Sequence, residues 1–263
     1  MLVEQIWTGN AYRNFNYLIA CPESGDALAI DPLDFHKCLA IASERGWKIS
    51  QVLNTHEHGD HTGGNQGVVS ATGATIIAHQ NAKDKIPNIG RGVGAGDVVH
   101  VGTTVDLECL DTPGHTMSHI CLLSKTDQPA LFSGDTLFNA GAGNCHNGGH
   151  PEELYDTFNK QLGQLDDNTL VYPGHDYLAT NLQFTIDREP DNETAQQLIA
   201  DCENQDPENA LVTTLALERQ INTFFRLESP AVIAGLQERF PEIGDRPDPR
   251  RVFLKLRELR NTW

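Results

Sequence analysis

The stretch Thr55-His56-Glu57-His58-Gly59-Asp60-His61 stands directly behind a short apolar run, Gln51 to Asn54, that reads as a strand. Three histidines and two carboxylates fall within six residues, His56 to His61. Imidazole nitrogen and carboxylate oxygen are the donors that zinc, iron and manganese accept. His56 and His58 are two apart, so in an extended segment their side chains point to the same side. Gly59 lets the chain bend, which carries Asp60 and His61 toward a second position beside the first.

Three further donors occupy similar places. His115 in Thr112-Pro113-Gly114-His115-Thr116, Asp135 in Ser133-Gly134-Asp135-Thr136 and His175 in Tyr172-Pro173-Gly174-His175-Asp176 each follow an apolar run and a glycine. Polar residues in loops at strand ends are where sites are commonly built. The donor count suits two metal ions. His56, His58 and His115 would hold the first, Asp60, His61 and His175 the second, and Asp135 would bridge them, leaving room for a shared water. His36, His79, His100 and His150 read as ordinary histidines, and His119 as a packing residue or a neighbour of the ligands.

The surroundings of this cluster describe a layered α/β protein. Leu2 to Trp7, Tyr17 to Ala20, Ala27 to Ile30, Thr75 to Ala78, Val98 to Val101, Val105 to Leu110, Ile120 to Leu123, Ala130 to Ser133 and Leu170 to Tyr172 also read as strands. Helical periodicity shows near Asp34 to Arg45 and Pro151 to Gln164. Past residue 176 strand-like runs nearly vanish. Asp206-Pro207, Ser229-Pro230 and Asp248-Pro249 each place a capping oxygen before a proline, which marks a helix start. The expected division is a layered α/β domain over 1–175 and a small helical domain or extension over 176–263.

Composition removes several classes of function. With 39% hydrophobic residues in 263, the chain can build a packed core. A net charge of −17 argues against nucleic acid and anionic membrane as partners. No apolar run approaches the roughly 18 residues of a membrane span, and the first residues do not read as a secretory signal. Six cysteines without a C-x-x-C pair read as free thiols, Cys145 included, so the expected location is cytoplasmic. Against the acidic background, the last 18 residues carry six basic side chains and two acidic ones.

The ordered set H-x-H-x-D-H, His115, Asp135 and His175 resembles the metallo-β-lactamase superfamily. Within it the chain is most similar to glyoxalase II, the hydroxyacylglutathione hydrolases. The likeness rests on Thr112-Pro113-Gly114-His115-Thr116, Gly134-Asp135-Thr136-Leu137-Phe138, Gly174-His175-Asp176-Tyr177, Asn222-Thr223-Phe224-Phe225-Arg226 and the basic helix after Asp248-Pro249. The resemblance implies an αββα sandwich over 1–175 as the catalytic domain, a C-terminal helical domain over 176–263 that binds substrate, and two divalent metals, zinc foremost, with iron or manganese as alternatives. It implies hydrolysis of a glutathione thioester such as lactoylglutathione, with Asp60 and Asp135 orienting the attacking water. Arg257 and Arg260 match the family's basic pair for glutathione carboxylates, and Tyr177 matches another contact. The chain departs from the family between Gly141 and Gly149, where Asn144 replaces a lysine and His146 a tyrosine. Two other activities of the same fold compete: a mononuclear-iron glutathione persulfide dioxygenase, and a lactonase or other hydrolase that ignores glutathione.

Overall fold

A computed structural model describes residues 1–126, 128–202 and 206–263. Its first sheet runs in the order β1 (Leu2–Trp7), β2 (Phe15–Ala20), β3 (Asp26–Ile30), β4 (Lys48–Leu53), β5 (Thr75–His79), β6 (Ile89–Val93). The first three strands pair antiparallel and the rest parallel. The parallel part needs crossovers, supplied by α1 (Phe35–Arg45) between β3 and β4, and by α2 (Gly59–Thr62) and α3 (Asn65–Thr72) between β4 and β5. Asp34 caps α1 by accepting from Lys37 N, and Gly46 ends it in the left-handed region at φ 70°.

The second sheet has the order β14 (Thr213–Thr214), β13 (Leu170–Pro173), β10 (Ala130–Gly134), β9 (Ile120–Ser124), β8 (Val105–Asp111), β7 (Val98–Val101). Its pairs are antiparallel except β10 with β13, which α4 (Pro151–Lys160) connects. A two-stranded ribbon, β11 (Leu137–Phe138) with β12 (Gly141–Ala142), leaves the end of β10.

The sheets face each other across Phe15, Tyr17, Ile19, Leu28, Ile30 and Leu53 on one side and Leu107, Ile120, Leu122 and Phe132 on the other. Each such buried side chain contributes about 1.5–3 kcal/mol. The opposite face of β2 and β3 is also covered, by α1 and α3 through Cys38, Ala42 and Val68. Burial on both faces explains why β2 reads as an unbroken apolar run rather than an alternation. The outer face of the second sheet packs on α4, α8 (Pro230–Arg239) and α9 (Pro249–Arg260) through Leu154, Phe158, Leu236, Phe253 and Leu256. The remaining helices are α5 (Leu178–Arg188), α6 (Glu193–Cys202) and α7 (Leu215–Ile221).

Several expectations change. Asp206-Pro207 opens only a 3₁₀ turn, Pro207–Asn209. Asp248 caps α9 as expected, accepting from Arg251 N. Ser229 makes no side-chain cap on α8, because its hydroxyl donates to Glu189 Oε1 at 2.6 Å. The region past residue 176 is not free of strands, since β14 pairs with β13 and extends the second sheet. The strand β6 carries three exposed residues and two glycines, so it lacks an apolar signature. No helix is long and apolar enough to cross a membrane among the described residues.

Candidate functional site

The donors expected from the sequence converge where β4, β8, β10 and β13 end, since His56, His115, Asp135 and His175 follow those strands within a few residues. His58 Nδ1 lies 3.0 Å from both His56 Nε2 and His115 Nε2. His61 Nε2 lies 3.2 Å from His175 Nε2, and Asp60 Oδ2 is 3.6 and 3.5 Å from those two nitrogens. These form two clusters. Asp135 stands between them, with Oδ2 at 4.0 Å from His56 Nε2, 3.5 Å from His115 Nε2 and 3.2 Å from His175 Nε2, and Oδ1 at 3.3 Å from His61 Nε2.

Local sequence explains the convergence. His56 and His58 precede α2, whose first residue is Gly59, so the extended pair points one way and the helical turn swings Asp60 and His61 aside. Gly114 and Gly134 take positive φ, 149° and 48°. Gly174 does not, and is needed for closeness instead: a Cβ there would stand 2.3 Å from Asp135 Oδ1. Tyr17 OH donates to Pro173 O at 2.6 Å and ties β2 to the strand end that carries His175.

The outer nitrogens assign the tautomers. His58 Nε2 faces Asn147 O at 3.1 Å, His61 Nδ1 faces Asp31 Oδ2 at 2.9 Å, His115 Nδ1 faces Asn144 O at 2.6 Å and His175 Nδ1 faces Tyr12 O at 2.7 Å. His56 Nδ1 faces Thr55 Oγ1 at 3.0 Å, a hydroxyl whose proton goes to Asp31 Oδ2 at 2.6 Å. Each outer nitrogen therefore donates, and each inner nitrogen presents a lone pair. Lone pairs 3.0–3.2 Å apart cannot hydrogen-bond one another. Donors around a tetrahedral ion at about 2.0–2.1 Å stand about 3.3 Å apart, close to the spacing seen here.

Charge agrees with that fit. Burial pushes the pKa of His56 well down, and that of His115 down, which favours the neutral ligand form. Burial works the same way on His61, but Asp135 and Asp31 outweigh it and carry its pKa well up. Burial opposes charge on Asp135, yet the facing His175 and His61 hold its pKa well below the usual range. Asp135 Oδ1 is buried without a hydrogen-bond partner among the described residues. Buried carboxylates around inward lone pairs call for positive charge, which a divalent cation would supply.

His119 is fully buried beside these donors, where its Nε2 accepts from Asp135 N at 3.1 Å. Asp31 and Asn14 were not singled out from the sequence. Asp31 follows an apolar strand as His115 and His175 do, so the same strand-end rule could have found it. Asn14, fully buried, donates to Asp60 Oδ2 at 3.0 Å and carries no sequence signal.

A cleft of about 220 Å³ adjoins the second cluster and is lined by Asn144, His146, Tyr177, Arg257 and Arg260 together with Phe138. Phe138 lies edge-on to His175 at 5.8 Å, and Tyr177 stacks on it at 4.9 Å. All five expected contact residues thus share one wall. Two differ from expectation in what they offer. Tyr177 OH donates to Tyr12 O at 3.0 Å, so it presents a lone pair outward, and burial pushes its pKa up to about 12. Arg257 is only 5% exposed and donates from that wall to the carbonyls of Ala142 and Gly143.

Comparison with known proteins fits this geometry. A family model described as Metallo-beta-lactamase superfamily matches residues 20–175, and one described as Hydroxyacylglutathione hydrolase C-terminus matches residues 176–263. The chain is 66% identical over 263 residues to a hydroxyacylglutathione hydrolase of Polaromonas sp., with 100% of both chains covered. It is 62% identical over the same span to one of Nitrosococcus oceani, again with 100% of both covered. Among solved structures, ETHE1 from Myxococcus xanthus aligns with a TM-score of 0.68 and 25% identity across 100% of this chain and 99% of that one.

Proposed function

Because the chain belongs to the hydroxyacylglutathione hydrolase family of the metallo-β-lactamase superfamily, we propose that it hydrolyses a 2-hydroxyacyl thioester of glutathione, such as lactoylglutathione, to glutathione and the 2-hydroxy acid. His56, His58 and His115 would hold one divalent ion, and Asp60, His61 and His175 the other, with Asp135 within reach of both groups. Zinc suits the mixed nitrogen and oxygen set, as do iron and manganese. Bound here, the ions would lower the pKa of a shared water and draw charge from the thioester carbonyl oxygen. The observation that carries the reading is the reach of Asp135 to both clusters.

The chain's own groups do the positioning. Asp60, held by Asn14, and Asp135, whose backbone N–H is held by His119, present carboxylate oxygens that orient the attacking water. Arg260, Asn144 and His146 line the cleft for the anionic glutathione arm, with Tyr177 as an acceptor at its inner end. Residues 1–175 carry the chemistry and 176–263 supply one wall of the cleft. Six unpaired thiols favour a reducing, cytoplasmic setting.

The test is a panel of hydroxyacylglutathione thioesters, lactones and glutathione persulfide, run on one sample with its metal content measured. Thiol release from the thioester, lost on chelation and restored by metal, with close to two ions per chain, is the expected result. Oxygen uptake with persulfide and one iron per chain would replace it with a dioxygenase. Lactone cleavage without thioester cleavage would replace it with a lactonase.

A further inference from the structure

We propose that Arg257 is a positioning residue for His115 and Asp135, acting through the backbone of residues 142–144. Arg257 projects from α9 into a nearly closed site. Its Nη1 donates to Ala142 O at 2.7 Å and to Gly143 O at 3.0 Å. Its Nε and Nη2 donate to Asn261 Oδ1 at 3.2 and 3.0 Å. Four of the five N–H groups of a guanidinium are thereby used within the protein. Among the described residues it forms no salt bridge, and its guanidinium carbon lies 5.5 Å over the Phe224 ring. Burial draws its pKa down to about 10, so it stays charged at neutral pH. A buried cation without a carboxylate must be stabilised by carbonyl dipoles, here the two backbone carbonyls and the Asn261 amide oxygen.

What Arg257 holds lies against the metal donors. A Cβ on Gly143 would stand 1.8 Å from Asp135 O and 3.2 Å from His115 Nδ1, so the backbone there is pressed against both residues. Gly143 N donates to Thr136 O at 3.2 Å, which fixes the segment from the other side. The next carbonyl, Asn144 O, takes the His115 Nδ1 proton at 2.6 Å. Two peptide units therefore separate the guanidinium from the atom that sets the tautomer of His115. Arg260 lines the same cleft and is held less: its hydrogen bond among the described residues is one long contact, Nη2 to Asn181 Oδ1 at 3.4 Å.

The kinetic arm of the test rests on the hydrolase reading, and the metal arm does not. Purified holoenzyme with Arg257→Met, Arg257→Lys, Asn261→Ala or Arg260→Met is titrated with a graded series of chelators while metal per chain is counted. Kcat and KM for the thioester are measured alongside. Arg257→Met should release one of the two ions at about 10- to 100-fold lower chelator strength, as loss of an outer partner does. Its kcat should fall while KM stays within about threefold. Arg257→Lys should recover part of the metal retention. Asn261→Ala alters only an exposed side chain that steadies Arg257, so it carries the test if Arg257→Met does not fold, and should shift metal release the same way by less. Arg260→Met should raise KM about tenfold or more with metal release unmoved. The proposal is overturned if Arg257→Met and Asn261→Ala raise KM while metal retention and kcat hold. It is equally overturned if they lower only the melting temperature. Should the parent enzyme cleave no thioester, the hydrolase reading falls and the metal arm alone decides.

Discussion

The two donor clusters lie within a few ångströms of each other and are held by different means. Around His56, His58 and His115 the outer partners are neutral: a threonine hydroxyl and the carbonyls of Asn147 and Asn144. Two of those three belong to the loop after β12, which Arg257 fastens. Around Asp60, His61 and His175 a carboxylate sits inside the cluster, a second, Asp31, stands behind His61, and the N-terminal loop closes over it through Tyr12 and Asn14. The first cluster depends on the shape of a surface loop, and the second on buried charge. Two neighbouring donor clusters in one protein thus need not have similar shells.

The change expected to erase the distinction is Asp135→Ala, because Asp135 serves both sides. Elemental analysis should find both ions lost, and kcat/KM should drop roughly a thousandfold or more, the scale of several kcal/mol in a low-dielectric site. If one ion stays in place at full affinity, the shared role is wrong. Asp31→Asn keeps the shape and removes the charge behind His61, a carboxylate that also takes the Thr55 hydroxyl proton behind His56. Chelator titration should show the ion at His61 weakened about 10- to 100-fold and the other, reached only through Thr55, weakened less. An equal weakening of both would mean that charge does not separate the clusters. Asn14→Ala should act on the same ion by about tenfold, since it frees Asp60 without removing a charge.

A control outside both clusters sharpens the contrast. Glu218 is fully buried with Thr213, Asn139, Asn222 and Ala140 N donating to it, and burial still leaves its pKa raised. A carboxyl whose folded pKa lies above its unfolded value adds stability at low pH and loses it as pH rises through the folded pKa. The melting temperature of the native protein should therefore fall relative to Glu218→Gln as pH climbs above the ordinary glutamate range near 4.5. Metal release should be the same in both, and a difference would tie the Glu218 region to the clusters.

Much of the site could be read without a structure because its donors obey local rules. The i, i+2 pairing of His56 and His58, the bend at Gly59 and the placement of His115, Asp135 and His175 after apolar runs are all properties of short segments. The strands of the sandwich core were equally legible, since burial on two faces leaves continuous apolar runs. Short or exposed strands such as β6, β11 and β14 were not, because neither alternation nor a long apolar run marks them. The basic helix α9 was recognised, and so was the spacing of Arg257 and Arg260, but spacing alone could not say that the first is held by two backbone carbonyls and the second by one long contact.

From the chain alone came seven candidate donors, their expected split into two groups and the layered fold that gathers them: His56, His58, Asp60 and His61 through residue type and close spacing, His115, Asp135 and His175 through their fit to the pattern of a known family. The partners behind the donors were decided only in three dimensions. His175 meets a carbonyl 163 positions away and Arg257 one 115 positions away. Hydrogen bonds of that range depend on which strand ends become neighbours once the sheets close, and no pattern within a short window of residues carries that information.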